Sequence, residues 1–287
     1  MPQFEVPEVD FGRYSNRQLA GPPAAVIVVA VLVIAGVFIT TGTPVPLGTE
    51  FTGGTELRVR TPTGNPNFDA TFDAPIQSVQ WVQGGDNTAI LSFGADADAD
   101  ALRSQAENEG YTVLGVQSTS PTFAKSTQRL ALIGVVIAFA GMSVVVFALF
   151  RVFVPSLAVV LSAFGDIVVP VALMNLLGIE LSLGTVAALL MVIGYSVDSD
   201  ILLTNHVLRR SGGFYESVRR AMVTGVTMTV TSLSAMAVMA VVARLFGIQL
   251  LAAIGTVLVL GLVTDLMNTY MLNVTLLRWY TFRGAAE

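Results

Sequence analysis

Six apolar runs, each long enough to cross a bilayer, constrain this 287-residue chain more than any other feature. A hydrocarbon core about 30 Å thick takes roughly 20 consecutive apolar residues per helix. The runs are Pro22 to Thr41, Leu130 to Phe150, Val152 to Leu177, Leu181 to Thr204, Ala221 to Ala243 and Ile248 to Leu277. With 53% hydrophobic and 12% charged residues, the chain belongs in lipid rather than in water. The expected fold is an all-α membrane bundle of six transmembrane helices, with short tails at 1–21 and 278–287 and one aqueous insertion at 42–129. The first helix follows Arg13 and Arg17 as a signal sequence would, yet no small-x-small cleavage site follows it, so it is read as retained.

Arginines set the orientation, because cytoplasmic loops carry the excess of positive charge. With six crossings, Arg13, Arg17, Arg151, Arg209, Arg210, Arg219, Arg220, Arg278 and Arg283 fall on one side. That side is expected to be the cytoplasm, with both termini inside the cell and the insertion outside. The connector from Arg209 to Arg220, broken by Gly212-Gly213, is short, basic and placed to meet anionic lipid headgroups.

The insertion is acidic. Ten acids (Glu50, Glu56, Asp69, Asp73, Asp86, Asp96, Asp98, Asp100, Glu107 and Glu109) face Arg58, Arg60, Arg103 and Lys125, ten minus four giving a net of −6 before Arg129 at the membrane boundary. Nucleic acid is therefore excluded as a partner. The Asp96, Asp98 and Asp100 alternation, with a single lysine in the chain, suits a surface solvated by carboxylates in high salt, though an ordinary acidic face reads the same way. Thr55 to Arg60, Ser78 to Gln83, Ala89 to Phe93 and Tyr111 to Gln117 read as strands. Gly84-Gly85-Asp86-Asn87 supplies a hairpin turn, and Asp98 to Glu109 a helix stopped by Gly110, giving a small α+β domain. The absence of cysteine removes disulfides and thiolate metal sites from consideration.

Four acids lie inside the spans: Asp166, Asp198, Asp200 and Asp265. An ionisable group at bilayer depth costs at least about 2.5 kcal/mol and faces the bundle interior or a wet cavity. At 1.5 Å rise per residue, Asp166 and Asp265 fall near the middle of their spans and Asp198 roughly one turn from the centre of the fourth. These three are expected to meet at one level. No lysine or arginine lies deep in a span, so the acids lack a cationic partner within the chain, which is the arrangement of a proton relay. Asp200 points about 200° around the helix from Asp198 and reads as well as a capping or solvent-exposed residue.

Polar seams accompany the acids. Thr224, Thr227, Thr231 and Ser234 share one face of the fifth helix, and Asp265, Asn268 and Gly261 share a face of the sixth. A hydrated path beside the acids and close packing through small hydroxyl residues both explain the threonine seam. His206, the only histidine, sits at a helix end among arginines, so neither a histidine metal site nor a catalytic triad can be assembled. No cofactor site is expected, since no glycine-rich phosphate loop followed by lysine occurs.

Three stretches together resemble the SecF branch of the SecD/SecF protein-export family. Gly48-Thr49-Glu50-Phe51-Thr52-Gly53-Gly54-Thr55 follows the first span, Ser120 to Lys125 approaches the second, and Gly194-Tyr195-Ser196-Val197-Asp198-Ser199-Asp200 matches the acidic motif of the fourth. The resemblance implies half of a transporter core of the resistance-nodulation-division (RND) superfamily, with a ferredoxin-like extracytoplasmic domain. It implies SecD as the partner supplying six further spans, the Sec translocon as neighbour, an exported polypeptide as cargo and the proton gradient as energy source. Asp198 is then the leading ion carrier, supported by Asp166 and Asp265. Bacterial members commonly place the fourth-span acid one position later, at Ser199 here, and an arginine in the fifth span, at Thr227 here. Archaeal members look closer to this pattern, which with the acidic domain implies a halophilic archaeon. Two other classes stay open: an assembly subunit without ion conduction, and an RND exporter of lipid or small solutes.

Overall fold

Apolar sequence this long leaves the backbone one way to satisfy its polar groups in lipid, which is to form helices. A computed structural model describes residues 6, 9–62, 66–82, 87–209 and 212–283. The Gly84-Gly85-Asp86 turn and Arg210 lie outside the described residues. Helix α1 spans Asn16–Thr41 and leads into the short α2 (Thr49–Thr52). Strand β1 (Gly54–Arg60), α3 (Phe68–Thr71), β2 (Ile76–Trp81), β3 (Thr88–Phe93), α4 (Ala99–Asn108) and β4 (Thr112–Thr119) complete the inserted domain. The chain then returns through α5 (Pro121–Phe150), α6 (Phe153–Leu177), α7 (Leu183–Arg209) and α8 (Phe214–Leu245). The last crossing is α9 (Gln249–Met267), a π-helical turn (Asn268–Asn273) and α10 (Val274–Arg283). Among the described residues, six helices are long and apolar enough to cross a membrane.

Several helices start before their apolar runs, because capping groups rather than hydropathy decide where a helix begins. Ser15 accepts from the Gln18 N–H while Gln18 caps the Ser15 N–H, so α1 starts ahead of Pro22 and Pro23 and runs through both. Ser120 caps α5, with Pro121 in its first turn, well ahead of Leu130.

Strand order β2-β3-β1-β4, all pairs antiparallel, in a βαββαβ chain is the ferredoxin-like arrangement. Alternation sorts the sheet's two faces. Leu57, Val59, Leu91 and Phe93 point into a core closed by Phe68, Phe72, Leu102 and Ala106. Glu56, Arg58, Gln80, Ile90 and Ser92 lie on the other face, toward the membrane bundle.

Within the bundle, α9 is central and packs on α6, α7 and α8, whereas α1, α5 and α8 expose most of their apolar surface. Small residues allow the close approach: a Cβ on Gly261 would strike Val192 of α7, and one on Gly255 would lie 3.0 Å from the Ala240 backbone of α8. Arg278 of α10 donates to the Phe11 and Tyr14 carbonyls, tying the two termini together at the end of the bundle away from the inserted domain.

Candidate functional site

Three buried carboxyls meet in the bundle, contributed by α6, α7 and α9. They are Asp166, Asp200 and Asp265, each 1% exposed or less. Asp166 accepts from Ser196 Oγ at 2.5 Å and from Asn268 Nδ2 at 2.7 Å. Asp265 Oδ1 accepts from Ser199 Oγ at 2.8 Å and Thr269 Oγ1 at 3.1 Å. Asp200 Oδ1 accepts from Thr269 Oγ1 and Asn273 Nδ2, both at 2.8 Å. The second oxygen of Asp200 is buried without a partner, as are the Ser162 hydroxyl and the carbonyl oxygens of Asn268 and Asn273.

The expectation that Asp198 joins Asp166 and Asp265 is corrected: Asp200 does, and Asp198 faces outward. The reason is helical phase. Ser196, which binds Asp166, and Asp200 are four residues apart and share the inner face of α7, while Asp198 lies on the opposite side. For the same reason Asp200 is neither a cap nor exposed to solvent. Asn268 belongs to the cluster directly, through Asp166.

The π-helical turn explains how one short segment serves three acids. Its wider turn places Asn268, Thr269 and Asn273 so that they reach Asp166 of α6, Asp200 of α7 and Asp265 of their own helix. Sequence reading quoted Ser196 and Ser199 only as part of the fourth-span motif and passed over Thr269 and Asn273, because a lone hydroxyl or amide in an apolar run carries no signal until its partner is located.

Hydrogen counting adds a constraint. The Ser199 hydroxyl lies 2.9 Å from the Ser196 carbonyl and 2.8 Å from Asp265, and the Thr269 hydroxyl lies between Asp265 and Asp200. Two hydroxyl hydrogens thus serve these four contacts and a fifth, 3.3 Å long, between the two hydroxyls themselves. A proton on Asp265 or Asp200 supplies a third donor.

Asp198 shares the exposed stripe of α7 with Leu183, Ala187, Met191, Gly194, Tyr195 and Asn205. The α8 seam is exposed too: Thr227, Thr231 and Ser234 bond back to the carbonyls of Val223, Thr227 and Val230, and Thr224 makes a longer contact to Arg220. Leu202 of α7 approaches Gly225 of α8. In this antiparallel pair, four residues back along α7 and four forward along α8 put Asp198 level with Thr229, between Thr227 and Thr231. His206 Nδ1 lies 2.8 Å from the Leu202 carbonyl of its own helix.

The glycines of the first motif build a corner. Gly53 and Gly54 have φ of 79° and 139°, and a Cβ on Gly54 would collide with the Phe93 carbonyl, so the chain turns from α2 into β1 where only glycine fits. Phe51 is buried beneath it, and Gly48 donates to the Leu181 carbonyl at 2.9 Å. Among the described residues no group of three His, Cys, Asp or Glu side chains is placed to hold a metal ion.

Comparison with known proteins gives a consistent result. The family described as "Protein export membrane protein SecD/SecF, C-terminal" matches residues 100–283. The protein-export membrane protein SecF of Haloferax volcanii is 64% identical over 288 residues, covering 100% of both chains. That of Haloquadratum walsbyi is 60% identical, again over 100% of both. Among solved structures, SecDF of Thermus thermophilus, titled a translocon-associated membrane protein, superposes with a TM-score of 0.72 at 20% identity, over 96% of this chain and 39% of that one. A SecDF in a super-membrane-facing form gives 0.62 at 22% identity, over 98% of this chain and 40% of that one. These two likenesses show the fold.

Proposed function

This chain belongs to the SecF family of protein-export membrane proteins, and on that premise we propose that it pairs with a SecD-type half to assist Sec-dependent export, driven by ions crossing the membrane. In this reading both termini are cytoplasmic, since the arginine-rich ends and connectors lie together, and the ferredoxin-like domain stands outside, where it meets the exported chain beside the translocon. The outward face of α7 supports a partner. Asp198, Asn205, Gly194 and Tyr195 suit neither lipid tails nor an empty surface, and the α8 hydroxyls lie level with them. A second six-helix half would enclose that face, leaving Asp198 at the junction as one ion-handling group.

One observation carries the ion-driven reading: Asp166, Asp200 and Asp265 share a buried network of neutral donors with too few hydroxyl hydrogens for its contacts. Such a network holds protons and passes them by rotating hydroxyls, the chemistry of a relay rather than of a static ion pair. The test replaces Asp265 with Asn in the complex reconstituted into vesicles, with proton uptake and reporter secretion measured together. Loss of both with the complex intact supports the relay, and full flux with full secretion overturns it.

A structural reading draws on the same contacts, because every acid in the cluster bonds across helices and so holds them together. It requires that Asp265→Asn dissociate or unfold the complex before transport declines.

A further inference from the structure

The inserted domain is held to the bundle at several points. The Leu181 N–H donates to the Pro46 carbonyl at 2.7 Å, the Gly48 N–H to the Leu181 carbonyl at 2.9 Å, and Asn175 Nδ2 to the Pro44 carbonyl at 3.0 Å. All three sit at the foot of the domain, where the chain enters it. Two further contacts come from the sheet itself: Arg58 Nη2 to the Gly247 carbonyl and Gln80 Nε2 to Glu180 Oε1, each at 3.3 Å. Between foot and sheet lies a cleft of about 440 Å³.

We propose that Glu180, in the turn joining α6 and α7, and Glu56, on the sheet's membrane-facing side, form a proton-operated latch: protonated Glu180 keeps the domain docked on the bundle, and its ionisation lets the sheet lift away. The foot acts as the hinge. Its backbone bonds at Leu181 contain no titratable group, so they persist while the sheet contacts change.

Among the described residues, the charged groups near Glu180 come from several elements. From β1 comes Glu56, whose Oε1 accepts from Thr49 Oγ1 at 2.5 Å and which is thereby held facing the cleft. From α2 comes Glu50, whose Oε2 accepts from the Leu183 N–H at the start of α7 at 2.6 Å. Arg244, at the end of α8, lines the cleft, and Arg58 is engaged with the Gly247 carbonyl. Three carboxyls, Glu180 among them, therefore share this region with two arginines, Arg244 on the rim and Arg58 beside Gly247.

Burial, and then the charge of Glu56, raise the Glu180 pKa above its ordinary value, with the Gln80 hydrogen bond opposing. Undocking exposes Glu180 and separates it from Glu56, so the docked state is the one that binds the proton more tightly. Docking is then fully favoured below the ordinary carboxylate pKa and is lost as pH rises through the raised one. With the domain outside the cell, protons arriving from the medium close the latch, which ties the position of the domain to the side from which a proton gradient is loaded. Only that direction rests on the proposed orientation. The latch itself does not depend on Asp166, Asp200 or Asp265 carrying ions.

The absence of cysteine allows a clean test. Spin labels at Asn108→Cys on α4 and Phe246→Cys at the turn after α8, in the full chain with its partner half in nanodiscs, report the distance between domain and bundle. The expected result is a single short distance in mildly acid buffer, with a longer population growing as the buffer becomes alkaline. Glu180→Gln, which mimics the protonated form, should lose this dependence and stay short throughout. Glu56→Gln should retain the short distance to higher pH. An unchanged wild-type distribution across the range overturns the latch, as does a Glu180→Gln chain that follows pH as the wild type does or stays long throughout. Proton flux through the bundle is measured separately, so a failed relay and a failed latch give different results.

Discussion

Replacing Asp200 separates ion handling from helix packing, because one carboxyl serves both. Its Oδ1 accepts from Thr269 and Asn273 at 2.8 Å each, while its Oδ2 faces the Ser162 hydroxyl without a well-formed hydrogen bond. In Asp200→Asn the amide oxygen takes over both contacts, and the amide nitrogen gains Ser162 as an acceptor. The expected stability change is within about 1 kcal/mol, the net worth of one neutral hydrogen bond. In Asp200→Leu the Asn273 amide loses its acceptor, whereas Thr269 retains Asp265. One buried unsatisfied donor costs about 1–3 kcal/mol, and the misfitted branched side chain adds about 1–3 kcal/mol, so the Leu variant should be weaker by about 2–6 kcal/mol in all. Thermal unfolding of the purified complex, followed by tryptophan fluorescence, compares the two variants, and proton uptake in vesicles gives the second readout. The reasoning predicts that Asn is nearly as stable as wild type but transports no protons, while Leu loses both properties. Equal destabilisation by Asn and Leu would make the carboxyl a packing strut, and a stable Asn variant with full proton uptake would remove Asp200 from the relay.

Packing and surface predictions follow from other sites. Gly261→Ala drives a methyl into Val192 and should lower stability by about 1–3 kcal/mol, whereas Gly134→Ala, with nothing within 4 Å of its new Cβ, should leave unfolding unchanged. Leu57→Ala empties the core of the inserted domain and should cost about 2–5 kcal/mol, seen in limited proteolysis as cleavage of the domain while the membrane helices survive. Asp198→Leu, on the exposed face of α7, should leave the unfolding of the isolated chain within about 0.5 kcal/mol yet reduce co-purification of the second half; unchanged recovery would place the interface elsewhere. Lowering the salt concentration should destabilise the domain as its carboxylates lose screening, measured as a fall in its unfolding temperature.

Much of the architecture was legible from residue order. The apolar runs locate the six crossings because the cost of placing backbone and side chains in lipid accumulates locally along the chain, without reference to what packs against what. Inside the domain, alternation at Leu57 and Val59, and the Asp98 cap of α4, work for the same reason: one face is wet and the other dry. The corner glycines Gly53 and Gly54 stood out as a motif, although their cause, Pro121 and the Thr119 carbonyl against Gly53 and the Phe93 carbonyl against Gly54, comes from distant parts of the chain.

The choice between Asp198 and Asp200 belongs to the tertiary structure. In water a helix shows its inner face by its apolar stripe, but lipid is as apolar as leucine, so a membrane helix need not carry that stripe and neither phase of α7 is favoured by composition. Only the positions of α6 and α9 decide which side of α7 is interior, and with it which carboxyl meets Asp166 and Asp265. The pairing of Glu180 with Glu56 is equally invisible along the chain, since two acids far apart in sequence become neighbours only when the sheet settles on the helix ends. Depth in the membrane is a property of each segment alone, and residue order determines it. Facing is a property of the assembled helices, and packing decides it.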